Sequence, residues 1–426
     1  MAFQPDTYAA EAYGLAVAAC RELPGEIDQN YQLQTTNGRR FVLKISHGDP
    51  APVDLQVAAL RHLESRNTPL GLPRPVADRE DRFWRPVPEA GPDAVVRLQT
   101  WVDGVLWTDF RPHTSALLAG LGRAAGLLCR GLAGFDHPAA HRFIKWDPSQ
   151  VEWIAEHIHL VEDRRAADAA RIFLERFRAQ APQIRKLRRS VNYDDCNDYN
   201  VLVGGDPAEP AVAGVIDFGD LVHTQTVNEL AVACAYAMMG RPDPLAAAAA
   251  VAGGFHAAFP LREAELEVLS TLVGARLATS AVVAALNARE EPGNVYLQVS
   301  AQPARELLPR WAAVPPELAH AVFRQACGFE PAPRAARFRK WLARGGHDLA
   351  PVVRADLARA VVLDLGVGST APGLPENYQD AARFQQWVER QLAEAGAGCA
   401  LGRYLEARPI YTSDDFRVEG NEGPEW

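Results

Sequence analysis

Two short polar clusters interrupt an apolar stretch in the middle of the chain. The first is Asp195-Cys-Asn197-Asp-Tyr-Asn200, which runs into Val-Leu-Val. The second, Asp217-Phe218-Gly219-Asp220, closes the run Ala211-Val-Ala-Gly-Val-Ile and begins 17 residues after Asn200. Each of these residues alone is an ordinary turn or cap residue. Together they suit phosphoryl transfer from a nucleotide, which needs a carboxylate to orient the attacking hydroxyl and hard oxygen ligands to hold Mg²⁺ on the phosphates. Asp195 offers the first function, and Asn200 with Asp217 offers the second.

The elements around the clusters follow from periodicity and turn chemistry. Asn200-Val-Leu-Val and Ala211–Asp217 read as two short strands. Upstream, Tyr31-Gln-Leu-Gln-Thr alternates, Asn37-Gly38 is a hairpin signal, and Phe41-Val-Leu-Lys44-Ile resumes the strand. A helix is expected over Val53–Leu63, with Leu55, Ala59, Leu60 and Leu63 on one side, and Pro69–Pro75 breaks it. Val95–Val102 reads as a strand closed by Asp103-Gly104. Helices are then expected over about Ser115–Ala133 and Val227–Leu308. The Ala-rich run Pro244–Ala258 is too short to span a bilayer and reads as a packed helix. The pattern is α+β, with a small β-rich lobe over 1–104 and a large α-rich lobe over 105–330. Residues 331–426, entered through Pro331-Ala-Pro-Arg, read as a linker and a partial α/β C-terminal extension, with a helix at Ala381–Ala395.

An Asp with an Asn five residues later, before a hairpin that ends in Asp-Phe-Gly, is the layout of the catalytic and metal loops of kinase-like folds. Over about three hundred residues the sequence resembles the aminoglycoside phosphotransferase and choline kinase superfamily, and within it most of all the hydroxylysine kinases. The resemblance implies a bilobal protein-kinase-like fold and an Mg²⁺-dependent kinase that uses ATP or GTP as co-substrate. It implies an acceptor that is the hydroxyl of an amino alcohol or hydroxy amino acid. Asp195 takes the part of the catalytic base or hydroxyl-orienting group, Asn200 and Asp217 ligate Mg²⁺, and Lys44 contacts the α- and β-phosphates. Gln56, with Asp54 as its neighbour, stands where the lysine's helix partner is expected. Gly25–Tyr31 covers the phosphates, and its Asp28 and Asn30 serve equally well to shape the turn. Val95–Gly104, including Thr100 and Val102, would form the hinge for adenine or guanine. Asp220 and Glu229, downstream of Asp217, are candidates either for holding a substrate ammonium or for structural salt bridges. The tail resembles the segment that, in some long bacterial proteins, joins a kinase-like domain to peptidase-like and class III aminotransferase-like domains, so further domains of one polypeptide are expected partners.

One departure stands out. The family's catalytic loop begins His-Gly-Asp, whereas this chain has Tyr193-Asp194-Asp195, and a second carboxylate beside the first raises one of their pKa values. Only Asp195 has the five-residue spacing to Asn200. The departure leaves open a catalytically impaired module that binds nucleotide or amine, and an aminoglycoside phosphotransferase is a third reading. A net charge of −9 argues against a nucleic-acid partner and suits a cationic small molecule. Six scattered cysteines without a CxxC pair fit a reducing, cytoplasmic setting. The N-terminus has no basic region followed by an apolar run, and no membrane partner is expected. His157 and His159, two apart, fall on different faces of a helix. Gly366-Val-Gly-Ser-Thr lacks a following lysine and reads as a turn rather than a phosphate loop.

Overall fold

Asn37-Gly38 turns the chain as its chemistry dictates, with Gly38 at φ 79°, an angle glycine adopts without Cβ strain. Helix α1 (Pro5–Tyr13) precedes the turn and leads into strand β1 (Val17–Leu23). β1, β2 (Gln29–Thr35) and β3 (Arg40–His47) form an antiparallel meander. Alternation then sorts β3 into two faces. Phe41, Leu43 and Ile45 enter an apolar cluster with Leu33 and Ala9, while Val42, Lys44 and Ser46 point the other way. Helix α2 (Ala51–Ser65) follows, and then strands β4 (Pro75–Val76), β5 (Trp84–Pro86) and β6 (Ala94–Thr100). The sheet order is β1-β2-β3-β6-β4, with β5 also paired to β6. β6 ends at Thr100, two residues before the expected strand end, because the chain there leaves the sheet for the larger half.

That half opens with β7 (Val105–Leu106) and helices α3 (Ser115–Gly131) and α4 (Arg164–Ile184). Strands β8 (Arg189–Asn192), β9 (Val201–Asp206), β10 (Glu209–Val215) and β11 (Val222–Gln225) make two small sheets, β10-β9-β7 and β11-β8. The helical run expected over 227–308 is divided into α5 (Val227–Met238), α6 (Pro244–Ala258), α7 (Glu263–Glu290) and α8 (Ala301–Ala312). Gly240 at φ 69°, Pro242 and Pro260 supply the first two breaks. α7 is long and apolar enough to cross a bilayer by composition, yet 89% of its most apolar stretch is buried within the fold. A small β-rich half and a large α-rich half result, as the sequence pattern predicts.

The computed structural model describes residues 3–25, 27–206, 208–290, 301–331, 333, 353–354 and 362–363. The chain forms two compact units, Met1–Ala313 and Val314–Trp426, which part ahead of the linker expected at Pro331. In the second unit, helix α9 (Pro316–Ala326) ends in a turn closed by Gly328 at φ 76°, and β12 (Val353–Arg354) pairs with β13 (Val362–Leu363). The helix expected at 381–395 and the turn at 366–370 lie outside the described residues.

The contact between α3 and α6 in the large half depends on glycine. A Cβ on Gly122 of α3 would lie 1.8 Å from the Val251 carbonyl oxygen of α6, and one on Gly254 of α6 would lie 1.9 Å from that of Ala119. Neither site has a flexible side chain that could move aside, so any substitution must push the helices apart. Gly122→Ala and Gly254→Ala should each lower stability by about 1–3 kcal/mol or more in urea denaturation. An unchanged midpoint in both variants would mean that α3 and α6 do not approach this closely.

Candidate active site

Register brings the first charges together. Lys44 on β3 sits opposite Arg97 on β6, so both side chains rise from the same face of the sheet. Both are buried, at 4% and 3% exposure, and two buried cations require an anion. Asp28, in the turn between β1 and β2, supplies it. Its carboxylate accepts from Arg97 Nη2 at 2.8 Å and Ser46 Oγ at 2.7 Å and lies 3.2 Å from Lys44 Nζ. Burial alone would raise the Asp28 carboxyl, but Arg97 and Lys44 outweigh it and hold the group below its ordinary range. Asn30 shapes the turn, donating from Nδ2 to the Asp28 carbonyl at 3.2 Å.

Gln56 departs from its expected role. Its Oε1 accepts from Arg97 Nη2 at 2.8 Å, and the acid that pairs with Lys44 comes from the β1–β2 turn instead of helix α2. The long guanidinium of Arg97 reaches the helix and occupies the amide. Asp54 is engaged elsewhere, accepting from Trp84 Nε1 at 2.9 Å and lying 3.2 Å from His137 Nε2. The available signal was Arg97 itself, a lone charge inside the apolar run Ala94–Leu98.

Lys44 also reaches the larger half, with Nζ 3.4 Å from Asp217 Oδ2. Asp217 holds φ at 58°, and its other oxygen accepts from the Gly219 N–H at 3.2 Å. The Ile216 N–H donates to the Asn200 carbonyl at 2.9 Å, which ties the two polar clusters side by side. Asn200 Nδ2 donates to Asp195 Oδ2 at 2.5 Å, and Asn197 Nδ2 donates to Asp195 Oδ1 at 2.8 Å. Asp195 is therefore oriented by an amide on each oxygen. Desolvation pushes its carboxyl well above the ordinary range and the Asp220 charge adds to this, against the Asn197 hydrogen bond and the Arg276 charge.

Tyr193 and Asp194 stand at the positions of the departure. Tyr193 is buried against Phe218 and donates from its hydroxyl to the Ile216 carbonyl at 2.5 Å, which braces the first cluster on the strand leading to the second. Asp194 holds φ at 60°, a left-handed angle that glycine tolerates best and that Asp and Asn tolerate better than most. Its backbone N–H donates to Glu229 Oε2 at 2.8 Å. Glu229 is thus a correction: expected to face a substrate ammonium, it is fully buried in α5 and braces the loop, also accepting from Cys196 Sγ at 3.4 Å. Burial pushes the Glu229 carboxyl up to about 7. Asp220 is partly exposed, and its charge acts on Asp195.

The expected hinge is pinned from both sides. Thr100 Oγ1 accepts from the Arg74 N–H at 2.9 Å, and Val102 packs over Gly71 and Gly214. Those glycines form a parallel bridge, in which the Gly71 N–H donates to the Ala213 carbonyl and the Val215 N–H donates to that of Gly71, both at 3.0 Å. A Cβ on Gly214 would lie 2.4 Å from the Gly71 carbonyl oxygen, so the bridge requires glycine.

Asp194 yields a test of this arrangement. Its carboxyl is fully buried, and neither oxygen has a hydrogen-bond partner among the described residues. Burial, with Asp147 and Glu229 nearby, raises its pKa well above 3.8. The folded state then binds a proton that the unfolded state releases above about pH 4, so this group erodes stability as pH climbs. Asp194→Asn should melt higher than the parent at neutral pH, with the gap widening from pH 5 to pH 8. A constant gap would show that the carboxyl is not buried in this way.

Comparison with known proteins agrees with the geometry. The signature of the APH phosphotransferase enzyme family matches residues 19–261, a segment that contains Lys44, Asp195, Asn200 and Asp217. A hydroxylysine kinase of Danio rerio is 27% identical over 309 residues, covering 68% of this chain and 85% of that protein. The hydroxylysine kinase of Mus musculus is 24% identical over 319 residues, covering 68% and 83%. Among solved structures, an amicoumacin kinase in complex with AMP-PNP and Ca²⁺ superposes with a TM-score of 0.54 at 13% identity, covering 71% of this chain and 92% of that one. An aminoglycoside phosphotransferase from Alicyclobacillus acidocaldarius does so with a TM-score of 0.50 at 17% identity, covering 77% and 97%. The shared fold is the bilobal, protein-kinase-like one. With its family signature spanning more than half its length, the chain belongs to the APH phosphotransferase enzyme family.

Proposed function

We propose that this chain transfers the γ-phosphate of ATP or GTP to the hydroxyl of an amino alcohol or hydroxy amino acid of the hydroxylysine kind. The observation that carries the reading is the joined pair of clusters, with Asp195 oriented by Asn197 and Asn200 and with Lys44 set against Asp217. In this reading Asp195 orients the acceptor hydroxyl and takes its proton. Lys44, held by Asp28, meets the α- and β-phosphates. Thr100 and Val102 line the edge that receives the base. Asp217 and Asn200 would hold Mg²⁺. The amide nitrogen of Asn200 is committed to Asp195, so its carbonyl oxygen is the atom left to ligate. Such a pair fits Mg²⁺, which takes one or two protein oxygens and completes its shell with phosphate and water. When bound, the ion neutralises charge on the transferring phosphate.

Asp220 supports recognition of a cationic acceptor by adding negative charge beside Asp195. The relatives named hydroxylysine kinase support the amino-acid end of the acceptor range, and a cytoplasmic location accompanies the reading. The catalytically impaired alternative rests on Tyr193-Asp194, but Tyr193 braces the loop through Ile216 and Asp194 adopts the backbone angle its position needs, so neither removes a group from the chemistry.

A coupled assay against hydroxylysine, ethanolamine, choline, homoserine and aminoglycosides tests the activity, with ATP and GTP in parallel. Asp195→Ala should lower turnover by at least roughly 10²-fold while nucleotide affinity and melting temperature change little, because such a group acts mainly in the transition state. Turnover indifferent to Asp195 would overturn the assignment. Nucleotide affinity in calorimetry should rise on adding Mg²⁺ and should lose that response in Asp217→Asn. The acid limb of kcat/KM should lie well above an ordinary carboxylate and move to lower pH in Asp220→Asn, since removing that charge eases ionisation of Asp195. A limb that stays in place would exclude Asp195 as the titrating base.

A further inference from the structure

Helix α7 carries one charge deep in its apolar length. Arg276 is 2% exposed and lies between the buried residues Leu272, Val273, Leu277 and Ala278. Its Nη1 donates to Ser280 Oγ at 2.6 Å and its Nη2 donates to the Tyr236 hydroxyl at 2.7 Å. The guanidinium lies over the Trp146 ring at 4.6 Å and the Tyr236 ring at 5.1 Å. Its Nε is buried without a hydrogen-bond partner, and among the described residues no carboxylate lies within ion-pair distance. A buried cation lacking an anion is unfavourable unless something supplies one.

The position of Arg276 indicates what that anion would belong to. Its charge lowers the carboxyls of Asp194 and Asp195, and Tyr236 feels Asp195, Asp198 and Asp220 together with Arg276. Geometry ties it to the loop as well, since Tyr236, which holds Arg276, stands two turns beyond Glu229 on the same helix, and Glu229 holds the Asp194 N–H, so Arg276 belongs to the α5 side of Asp195 while Lys44 and Asp217 meet at the other cluster. A guanidinium has five N–H donors and two of them are used here, so Nε–H and a neighbouring Nη–H remain as the two-point fork that matches a carboxylate. The two rings fix the plane of the fork.

Resting on the kinase reading above, we infer that Arg276 receives the carboxylate of the acceptor, which makes the preferred substrate a hydroxy amino acid over a carboxylate-free amino alcohol. The acidic groups around Asp195 and Asp220 then face the acceptor's ammonium, and the hydroxyl lies between the two charges.

The test compares hydroxylysine with the diamino alcohol that its decarboxylation gives. The native chain should show a kcat/KM at least about 30-fold higher for the amino acid, as a buried charge pair commands. Arg276→Lys and Arg276→Gln should lose most of kcat/KM with the amino acid, chiefly through KM, and far less with the diamine. Equal losses on both substrates would overturn the inference, since Arg276 would then only neutralise Asp194 and Asp195. If the variants do not fold, calorimetry on the native chain decides. Hydroxylysine must bind more tightly than both its methyl ester and the diamine, and equal binding of the three refutes the carboxylate site. Brisk phosphorylation of choline or the diamine at the rate of hydroxylysine would refute the site while leaving the kinase reading intact. No phosphorylation of any acceptor would remove that reading and this inference with it.

Discussion

The Lys44 side of the seam between the two halves depends on one partly buried carboxylate. Asp28 is the anion shared by Lys44 and Arg97, both nearly sealed from solvent. Deleting one partner of such a group leaves uncompensated buried charge, a change typically costing about 3–5 kcal/mol. Because Arg97 also holds Gln56 and Ser46, the turn, helix α2 and strands β3 and β6 are fixed to one another through a single polar knot. Lys44 then faces Asp217 from a rigid base.

The larger half uses backbone conformation for a comparable purpose. Asp194 and Asp217 both hold left-handed angles, near +60°, one beside Asp195 and the other opening the second cluster. Residues other than glycine persist at such angles where the surroundings overdetermine them. Here the surroundings are explicit: Glu229 takes the Asp194 N–H, Asp217 takes the Gly219 N–H, and Tyr193 ties one bend to the strand of the other. A phenol at position 193 and a carboxylate at 194 thus coexist with an ordered loop.

Legibility in the sequence followed the range of the interactions. Asp195, Asn200 and Asp217 could be read because a loop, a hairpin and a second loop impose fixed local spacing, and Lys44 because it ends a strand set by a strong turn signal. The Asp28–Arg97–Gln56 group could not, since it joins a turn, a strand and a helix whose relation exists only once β3 pairs with β6. Glu229 was misread for a related reason. Its distance along the chain from Asp217 suited a substrate contact, but the first turn of α5 points into the core, so the carboxylate meets backbone N–H groups. Arg276 left only a faint trace, a single arginine within an apolar helix about sixty residues beyond Asp217.

The Gly71–Gly214 bridge has a mechanical consequence. The two lobes are joined covalently through Trp101–Gly104 and are also stitched by two backbone hydrogen bonds at Gly71, beside Val102. Helix α2 adds further ties to the larger half, with Asp54 3.2 Å from His137 Nε2 and Arg66 Nη2 donating to the Ala133 carbonyl at 3.1 Å, and bodies attached at several separate places lose most of their freedom to slide or twist past each other. The frame itself therefore keeps Lys44 facing Asp217, in addition to their own ion pair at 3.4 Å.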